Sequence, residues 1–441
     1  MPGDAAQAAE MRVLLREIFL HALAECSVER AFERHVFCER GILRVGNDLH
    51  DLKSYSRVFI VAFGKAAHSM AGALTARLGA IGAGGIICAP VDPPAQLPGF
   101  RYFRGGHPTP NQDSLRAAEA ILRALRGLPA SALVIFLISG GGSSLVEKPI
   151  SDEISLADLI EAYRALMHSG APIAEINAIR KHLSAVKGGR MAQAAAPAQQ
   201  LSICVSDVPE NALDSLASGP TMPDMSTVEG CQKIARQYDL LPRFPQSVRE
   251  LFEHDALEET PKELDTAFAR SRWWKVLSNA DAQKAVAQRA AAAGVAVHTD
   301  NSCDDWDYRA AADHLLARLR ELRKGAAHVC LISGGEVTVT IESKAGVGGR
   351  NQQFAAYCAE KIAGERIAVL SAGTDGIDGN SPAAGAIADG TTLARAQAAG
   401  PSVDEALAAY DTYPIFQHLG DAVVTGPTGN NLRDLRILLA Y

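Results

Sequence analysis

Glycine-rich turns that directly follow apolar, strand-like segments are the most constraining feature of this 441-residue sequence. Polar side chains are interleaved with the glycines in each of them. The turns are Gly64-Lys65, Ser139–Ser144, Ser333–Glu336, Gly373–Gly379 and Thr425–Asn431. In open α/β sheets, ligands bind beyond the carboxyl ends of the strands, where glycine lets the backbone approach an anion. The pattern therefore predicts an α/β fold in which both halves of the chain contribute to one site for a phosphorylated ligand.

The apolar segments alternate with segments of helical period, which predicts α/β layers with mostly parallel sheets. The signal weakens between Pro220 and Arg272, where prolines and charges accumulate, so we place a domain junction there. We predict a larger N-terminal Rossmann-like α/β/α domain over residues 1–255 and a smaller C-terminal α/β domain over residues 256–441. Whether the extreme C-terminus packs back on the first domain is left open. The strand-like segments 328–332 and 337–341 are too close for a helical crossover, which predicts a mixed sheet in the second domain.

Charge and hydropathy exclude several classes of protein. The formal net charge is −7 and no dense basic run occurs, which argues against a nucleic-acid partner. The longest apolar stretch, Ala132–Ile138, is far shorter than the span of about 20 residues that a bilayer requires. The first residues lack the basic region of a signal peptide, and the eight cysteines form no metal-ligand spacing. We therefore expect a cytoplasmic protein with no membrane partner.

Neither common nucleotide signature occurs. Lys65 follows only Gly64, and the glycines at 140–142 lead into two serines without the lysine of a P-loop. The G-x-G-x-x-G fingerprint of dinucleotide-binding enzymes is also absent after the strand-like segments. A phosphate site in this chain must therefore be built from other residues.

The ordered set of short motifs resembles the MOFRL-containing glycerate kinases, a family unrelated to P-loop kinases. The resemblance runs from residue 62 to residue 431. Its motifs are Ala62–Ala67, Gly106-His107-Pro108, Ser139–Ser144, Ile176–Ser184, Lys187–Arg190, Ser206-Asp207-Val208, Ala217–Thr221, Ser333–Glu336, Gly348–Gln352, Thr374–Gly379 and Thr425–Asn431. It implies phosphoryl transfer from ATP to D-glycerate, giving 2-phosphoglycerate, with Mg²⁺ or another divalent cation and an active site in the cleft between the domains. Whether the chain forms a homodimer is left open.

Three residues are the expected catalytic groups. Lys65 opens a helix beside small residues, where its ammonium can meet a phosphate. The planar guanidinium of Arg350 suits either the transferring phosphoryl group or the carboxylate of glycerate. Asp375 lies in a glycine-rich turn and can either bind the metal or accept the proton of the substrate hydroxyl. We favour Asp375 over Asp378, because an Asp beside Gly commonly caps its own turn.

A second group of residues is expected to bind metal, nucleotide or substrate. Asp207 follows a strand in the first half and is the expected metal ligand, with helix capping as the alternative. The expected nucleotide- or substrate-binding residues are Ser139, Gly140, Gly141, Gly142, Ser143, Lys181, Glu336, Asn351 and Asn431. Lys181 represents a local basic cluster whose other members are Arg180, Lys187 and Arg190.

Two other functions are kept as alternatives. A hydroxypyruvate reductase, a label attached to some members of this family, is disfavoured because the dinucleotide fingerprint is missing. A non-catalytic sensor of nucleotides or phosphorylated ligands is disfavoured because Lys65, Arg350 and Asp375 are all present.

Overall fold

The computed structural model describes residues 2–79, 81–341, 345–400 and 402–441, without the side chains of residues 2–4. Its helices are α1 (Pro2–Glu25), α2 (Val28–His35), α3 (Ala67–Leu78), α4 (Gln112–Arg126), α5 (Gly142–Leu145), α6 (Leu156–Met167), α7 (Ile173–His182), α8 (Arg190–Ala195), α9 (Val228–Gln237), α10 (Gln246–Glu253), α11 (Asn279–Ala292), α12 (Tyr308–Arg323), α13 (Arg350–Lys361), α14 (Thr392–Ala399), α15 (Val403–Ala408) and α16 (Tyr413–Leu419). Its strands are β1 (Val36–Glu39), β2 (Ile42–Val45), β3 (Asp48–Asp51), β4 (Arg57–Phe63), β5 (Gly84–Ala89), β6 (Phe100–Arg104), β7 (Ala132–Ile138), β8 (Gln199–Val205), β9 (Ser271–Leu277), β10 (Ala296–Thr299), β11 (Val329–Gly335), β12 (Ile367–Gly373), β13 (Gly385–Asp389), β14 (Ala422–Val423) and β15 (Asp434–Ala440).

The chain divides into two compact units. The first domain is Val28–Val276, and the second domain combines the residues up to Ser27 with Leu277–Tyr441. This division differs from the predicted boundary at residue 255, because β9 adds a sixth strand beside β8 and so extends the first domain.

The large sheet of the first domain has the strand order β6-β5-β4-β7-β8-β9. Strands β4 to β8 pair in parallel. All seven residues of β7 are buried, as expected for a strand covered on both faces. In chain order this is the 3-2-1-4-5-6 arrangement of Rossmann-type domains, which confirms the predicted fold class.

The weak signal between Pro220 and Arg272 conceals two short amphipathic helices rather than a linker. α9 and α10 bury Cys231, Ala235, Val248 and Phe252 in a separate hydrophobic core that they share with α6 and α7. Short helices of this kind derive their stability mainly from tertiary packing, so local sequence pattern indicates them poorly. The antiparallel sheet β1-β2-β3 also belongs to the first domain and is not among the predicted strands.

The sheet of the second domain is mixed, as predicted, but for a different reason. Its order is β10-β11-β15-β12-β13-β14, and β15 is antiparallel to both of its neighbours. The expected strand at 337–341 is wrong: Thr338 makes only an isolated bridge with Asp307 there. Because β15 occupies the middle of this sheet, the end of the chain completes the core of the second domain.

Helix α1 joins the second domain through a long-range ion-pair network. Arg12 donates to the buried carboxylate of Asp389, and its Nε lies 3.4 Å from Asp421. Arg395 also donates to Asp421. The start of the chain is therefore tied to residues almost 400 positions away, which no local pattern reveals.

None of the described helices combines the length and apolarity needed to cross a bilayer. The cysteines are free thiols, and all but Cys38 are buried. Buried free cysteines of this kind act as small apolar side chains.

Candidate active site

The first cluster of predicted site residues lies at the point where the strand order of the first sheet reverses. β4 and β7 are adjacent and parallel, and the chain leaves them in opposite directions along the sheet. Gly64-Lys65 follows β4, and Ser139–Ser144 follows β7. Such a switch point is where open α/β sheets bind their ligands, because the two connecting loops diverge and leave a crevice.

The two loops are held together without space for a side chain at Gly64. A Cβ atom at Gly64 would lie 2.1 Å from the hydroxyl of Ser139, and its φ of +125° is one that other residues rarely adopt. The amide of Lys65 donates to the carbonyl of Gly140 at 2.8 Å, and the amide of Ala66 donates to the Ser139 hydroxyl at 3.0 Å. These bonds bring the side chain of Lys65 alongside Gly141, with its Cγ 3.4 Å from the Cβ position of that glycine.

The Ser139–Ser144 loop presents backbone amides without acceptors. Among the residues that the structure describes, no acceptor is found for the N–H groups of Gly140, Gly141 or Ser143. Gly141 has a φ of +81°, so the loop changes hand at this position. Successive amides around such a reversal form a concavity that binds anions. Together with the ammonium of Lys65, the loop can hold a phosphate group.

Asp207 and His107 complete the surroundings of this loop. A Cβ atom at Gly140 would lie only 1.9 Å from a carboxylate oxygen of Asp207. The ring of His107 lies 3.4 Å from the Cβ position of Gly141, and its Nδ1 is 3.1 Å from the Ser144 hydroxyl. A cation, a carboxylate and an imidazole thus converge on one glycine-rich loop.

Backbone strain marks the other side of the loop. Ala217 and Ser218 have φ values of +50° and +61°, and left-handed conformations of non-glycine residues cluster at functional sites. The Ser218 hydroxyl lies 2.9 Å from the Ser143 hydroxyl. Ser218 is not among the predicted site residues, because nothing in the local sequence shows that its side chain reaches Ser143.

The basic side chains on and after α7 point in two different directions. Lys181 is buried and donates to Asp224 at 3.0 Å, so its ammonium is engaged within the protein rather than at the loop. Arg180 and Lys187 instead donate to the hydroxyl and the carbonyl of Ser143, at 3.1 and 2.7 Å. Adjacent helix residues point about 100° apart, so the choice of Lys181 over Arg180 could not be settled without the packing of α7.

The second cluster lies in the second domain, where the carboxyl ends of β11 and β12 flank the first residue of β15. Arg350 begins α13 and donates two hydrogen bonds to Asp434, at 2.6 and 2.9 Å. Its Nη2 also lies 2.9 Å from Glu336. Burial lowers the pKa of Arg350, but the carboxylates of Asp434 and Glu336 raise it above the usual value overall. Asp434, the main partner of Arg350, was not predicted.

Ser333-Gly334-Gly335 repeats the sequence of Ser139-Gly140-Gly141 but not its structure. The amides of Gly334 and Glu336 donate to the side chains of Asn301 and Asp304, at 2.8 and 3.0 Å. Asp304 in turn accepts two hydrogen bonds from Arg433. The same Ser-Gly-Gly sequence therefore belongs to a loop with open amides at 139–141 and to a covered turn at 333–335.

Asp375 and Asp378 have different environments, but not the expected ones, because it is Asp375 that caps its own turn by accepting a hydrogen bond from the amide of Ile377 at 3.2 Å. Asp378 is buried and accepts hydrogen bonds from the backbone and side chains of Asn351 and Gln352, so it caps α13. Burial, reinforced by the charge of Asp434, raises its pKa to about 6. Asp375 is half-buried, and its Oδ1 lies 3.2 Å from the Cβ position of Gly373, close to Asp434 as well.

The two predicted asparagines are engaged within the protein. Asn351 is buried, and its amide group bonds to Asp378 and to the Ser371 hydroxyl. Asn431 accepts a hydrogen bond from the amide of Arg433 at 3.0 Å and is half-buried. Asn351 thus shapes the start of α13, whereas Asn431 lies in the turn that leads into β15.

No cluster of three or more acidic, cysteine or histidine side chains suited to a metal occurs within the described ranges. Mg²⁺ commonly needs only one or two carboxylates, because water and substrate phosphates supply its other ligands. The carboxylate of Asp207, which lies beside the open amides of the Ser139–Ser144 loop, fits that requirement. A cavity of about 510 Å³ also opens beside Arg350, bounded by Gly348, Gly349 and Tyr410.

Comparison with known proteins identifies relatives along nearly the whole chain. Residues 14–253 match the family described as a domain of unknown function, DUF4147, and residues 329–434 match the MOFRL family. The chain is 36% identical to a D-glycerate 2-kinase of Thermotoga maritima over 86% of its own length and 90% of the relative. It is 35% identical to a putative hydroxypyruvate reductase of Agrobacterium vitis, with 93% of each chain covered.

A solved structure of a glycerate kinase from Thermotoga maritima superposes with a TM-score of 0.84 at 32% identity, covering 98% of this chain and all of the other. The two family matches, the identity to the D-glycerate 2-kinase and this superposition agree with one another. The chain therefore belongs to the MOFRL-containing family of glycerate kinases.

Proposed function

We propose that this protein transfers the γ-phosphoryl group of ATP to the 2-hydroxyl of D-glycerate, producing 2-phosphoglycerate and ADP. In this step the hydroxyl oxygen bonds to the γ-phosphorus, the bond to the bridging oxygen of ATP breaks, and the hydroxyl proton passes to a base. The observation that carries the proposal is the convergence of Lys65, the open amides of the Ser139–Ser144 loop and Asp207 at the switch point of the first sheet. The similarity to a D-glycerate 2-kinase supports the choice of acceptor.

The first domain supplies the phosphate-binding groups. Phosphoryl transfer depends mainly on positioning and on neutralising the charge that develops on the phosphoryl oxygens. Lys65 and the amides of Gly140, Gly141 and Ser143 would bind these oxygens. Asp207 would hold the Mg²⁺ that accompanies the nucleotide, and this ion would neutralise phosphate charge.

The second domain supplies the groups for the acceptor. Arg350 makes its described contacts through Nε and Nη2, and no partner for Nη1 is found in the part of the chain that the structure describes. Its side chain is 37% exposed, so one edge of the guanidinium can receive the glycerate carboxylate or the phosphoryl group. Asp375 would accept the proton of the 2-hydroxyl. Glu336 and Asn431 would orient the ligand beside Arg350.

We further propose that residues of both domains act together in one interdomain active site. This proposal is supported by the motifs of the family, of which those with Lys65 and Asp207 lie in the first domain and those with Arg350 and Asp375 lie in the second. A site of this kind requires that removing either Lys65 or Asp375 alone abolishes turnover.

The decisive experiment incubates the purified protein with ATP, Mg²⁺ and D-glycerate and separates 2- from 3-phosphoglycerate by ³¹P NMR. We expect 2-phosphoglycerate, and losses of two or more orders of magnitude in kcat for Lys65→Ala and Asp375→Ala. Replacement of the exposed Lys233 by alanine is the matched control and should leave turnover unchanged. Absence of any phosphoglycerate would overturn the proposal, and 3-phosphoglycerate as the product would overturn its regiochemistry.

Hydroxypyruvate reduction is the second candidate, because two relatives are named putative hydroxypyruvate reductases. The strand order of the first sheet also suits a dinucleotide, but the loop after β4 contains Lys65 in place of the glycine fingerprint. Oxidation of NADH by hydroxypyruvate without coupling enzymes would favour this candidate. Binding of nucleotide without any turnover would favour a sensor.

The expected cytoplasmic location can be tested by cell fractionation, and the state of assembly can be tested by size-exclusion chromatography.

A further inference from the structure

A buried ion pair lies directly behind the Ser139–Ser144 loop. Lys187 and Glu147 are 1% and 0% exposed. The ammonium of Lys187 donates to a carboxylate oxygen of Glu147 and to the carbonyl oxygen of Ser143, the latter at 2.7 Å. Burying such a pair is costly, and replacing one by apolar residues is often neutral or stabilising. Its presence behind the loop therefore calls for an explanation other than stability.

The carboxylate of Glu147 is fixed on all sides. One oxygen accepts from the Ser184 hydroxyl at 2.6 Å and from the amide of Lys148 at 3.0 Å. The other accepts from the hydroxyl of Tyr163 at 2.9 Å as well as from Lys187. A carboxylate with this many donors has one orientation, so the ammonium that it pairs with is fixed too.

Ser143 is consequently held at three points. Lys187 binds its carbonyl, while Arg180 and Ser218 bind its hydroxyl at 3.1 and 2.9 Å. The guanidinium of Arg180 stacks 4.7 Å above the ring of Tyr163, whose hydroxyl bonds to Glu147. The loop that offers free amides on one side is thus anchored by two cations on the other.

We propose that Lys187 is a positioning residue, which keeps the carbonyl of Ser143 turned inward so that the loop amides face the phosphates of the nucleotide. Without this donor, the Ser143 carbonyl is free to rotate outward, and its partial negative charge would oppose an anion at the loop. The inference rests on the proposed function in one respect, namely that the ligand of this loop is a nucleotide phosphate. Lys187 itself does not touch the ligand.

The test measures binding of MgATP by calorimetry without glycerate, alongside thermal unfolding. We expect Lys187→Met to weaken MgATP binding at least tenfold and to lower the Tm, because Glu147 is left buried without its partner. In the double variant Glu147→Gln/Lys187→Met, both charges are gone, so the Tm should recover towards wild type while the affinity stays weak. The control is Lys148→Met, since Lys148 pairs with the exposed Asp152 and should not affect affinity.

The dependence of affinity on pH gives an independent measurement. Burial lowers the pKa of Lys187 to about 8, with the charge of Arg180 acting in the same direction and Glu147 opposing it. Tyr163, which packs against the same ammonium, has a pKa raised far above its usual value by burial and does not titrate in this range. The affinity of the wild type should therefore fall between pH 7 and 9, whereas Lys187→Arg should show no such fall.

Each outcome is decisive for the role of Lys187. Wild-type affinity in the stable double variant would overturn the inference, because the loop would then keep its geometry without the cation. Recovery of affinity together with Tm in the double variant would likewise reduce Lys187 to a structural residue. Binding of MgATP that depends on Lys187, without formation of phosphoglycerate, would overturn the proposed function and leave this inference intact.

Discussion

Gly140→Ala tests the central contact of the proposed site, the approach of Asp207 to the Ser139–Ser144 loop. The added methyl group would lie 1.9 Å from a carboxylate oxygen of Asp207 and 2.5 Å from its Cγ. Ordinary contacts begin at 3.4 Å, so the carboxylate must move away by about 1.5 Å. Gly140 is not among the glycines with positive φ, so alanine introduces no backbone strain there.

The expected effect is a loss of activity with little loss of stability. The Asp207 carboxylate is only half-buried, so we expect the free energy of unfolding to change by less than about 1 kcal/mol, below the range for overpacking a closed core. A displacement on the order of 1 Å can cost roughly 100-fold in rate, which corresponds to about 3 kcal/mol of transition-state stabilisation. Gly140→Ala should therefore reduce transition-state stabilisation by much more than it changes the free energy of unfolding.

The assay combines steady-state kinetics of ADP formation at varied MgATP and D-glycerate with unfolding in guanidinium chloride. The control is Gly72→Ala in α3, where the new methyl group meets nothing within 4 Å and should stabilise the helix by roughly 0.5–1 kcal/mol. A double-mutant cycle completes the test, because in an Asp207→Ala background the methyl group no longer meets a carboxylate. A kcat/KM for Gly140→Ala within threefold of wild type, or the same loss with and without Asp207, would refute the reasoning.

Three further predictions concern stability and reactivity. Burial raises the pKa of Asp378 to about 6, so the carboxyl of Asp378 stays protonated to a higher pH in the folded state than in the unfolded chain. The stability that this proton confers is present below about pH 4 and is lost as the pH rises through 6. Relative to Asp378→Asn, the wild type should lose about 2 kcal/mol of unfolding free energy between pH 4 and 7 in denaturant titrations, and parallel pH profiles would contradict this. Arg12→Met should cost about 1–3 kcal/mol in the same assay, because Asp389 is left buried without that donor; an unchanged midpoint would show that the ion pair does not anchor α1. A disulfide reagent should modify Cys38 first in the native protein, since the other thiols are buried; mass spectrometry that finds another cysteine labelled at the same rate would disprove the burial pattern.

The candidate site shows which residues the spacing of sequence motifs can predict and which it cannot. Lys65, Asp207 and the glycines at 140–142 were predicted from their positions after strands, and the structure brings them together because β4, β7 and β8 are parallel neighbours. The position of a strand in a sheet cannot be derived from the strand itself, so convergence at the switch point is a result of topology. Lys181 and Arg180 illustrate the opposite case, where adjacent residues share a motif and only helix packing decides which one reaches the loop.

Local periodicity and ordered short motifs were enough to predict the α/β class, the glycine-rich turns after the strands and the family. Tertiary structure alone decided that β15 fills the centre of the second sheet, that α1 belongs to the second domain, and that Lys187 and Glu147 form a buried pair behind Ser143. Each of these features joins residues far apart in the chain through packing or charge. Such contacts leave no mark on the pattern of any single segment, since the partner that gives a residue its role lies elsewhere in the sequence.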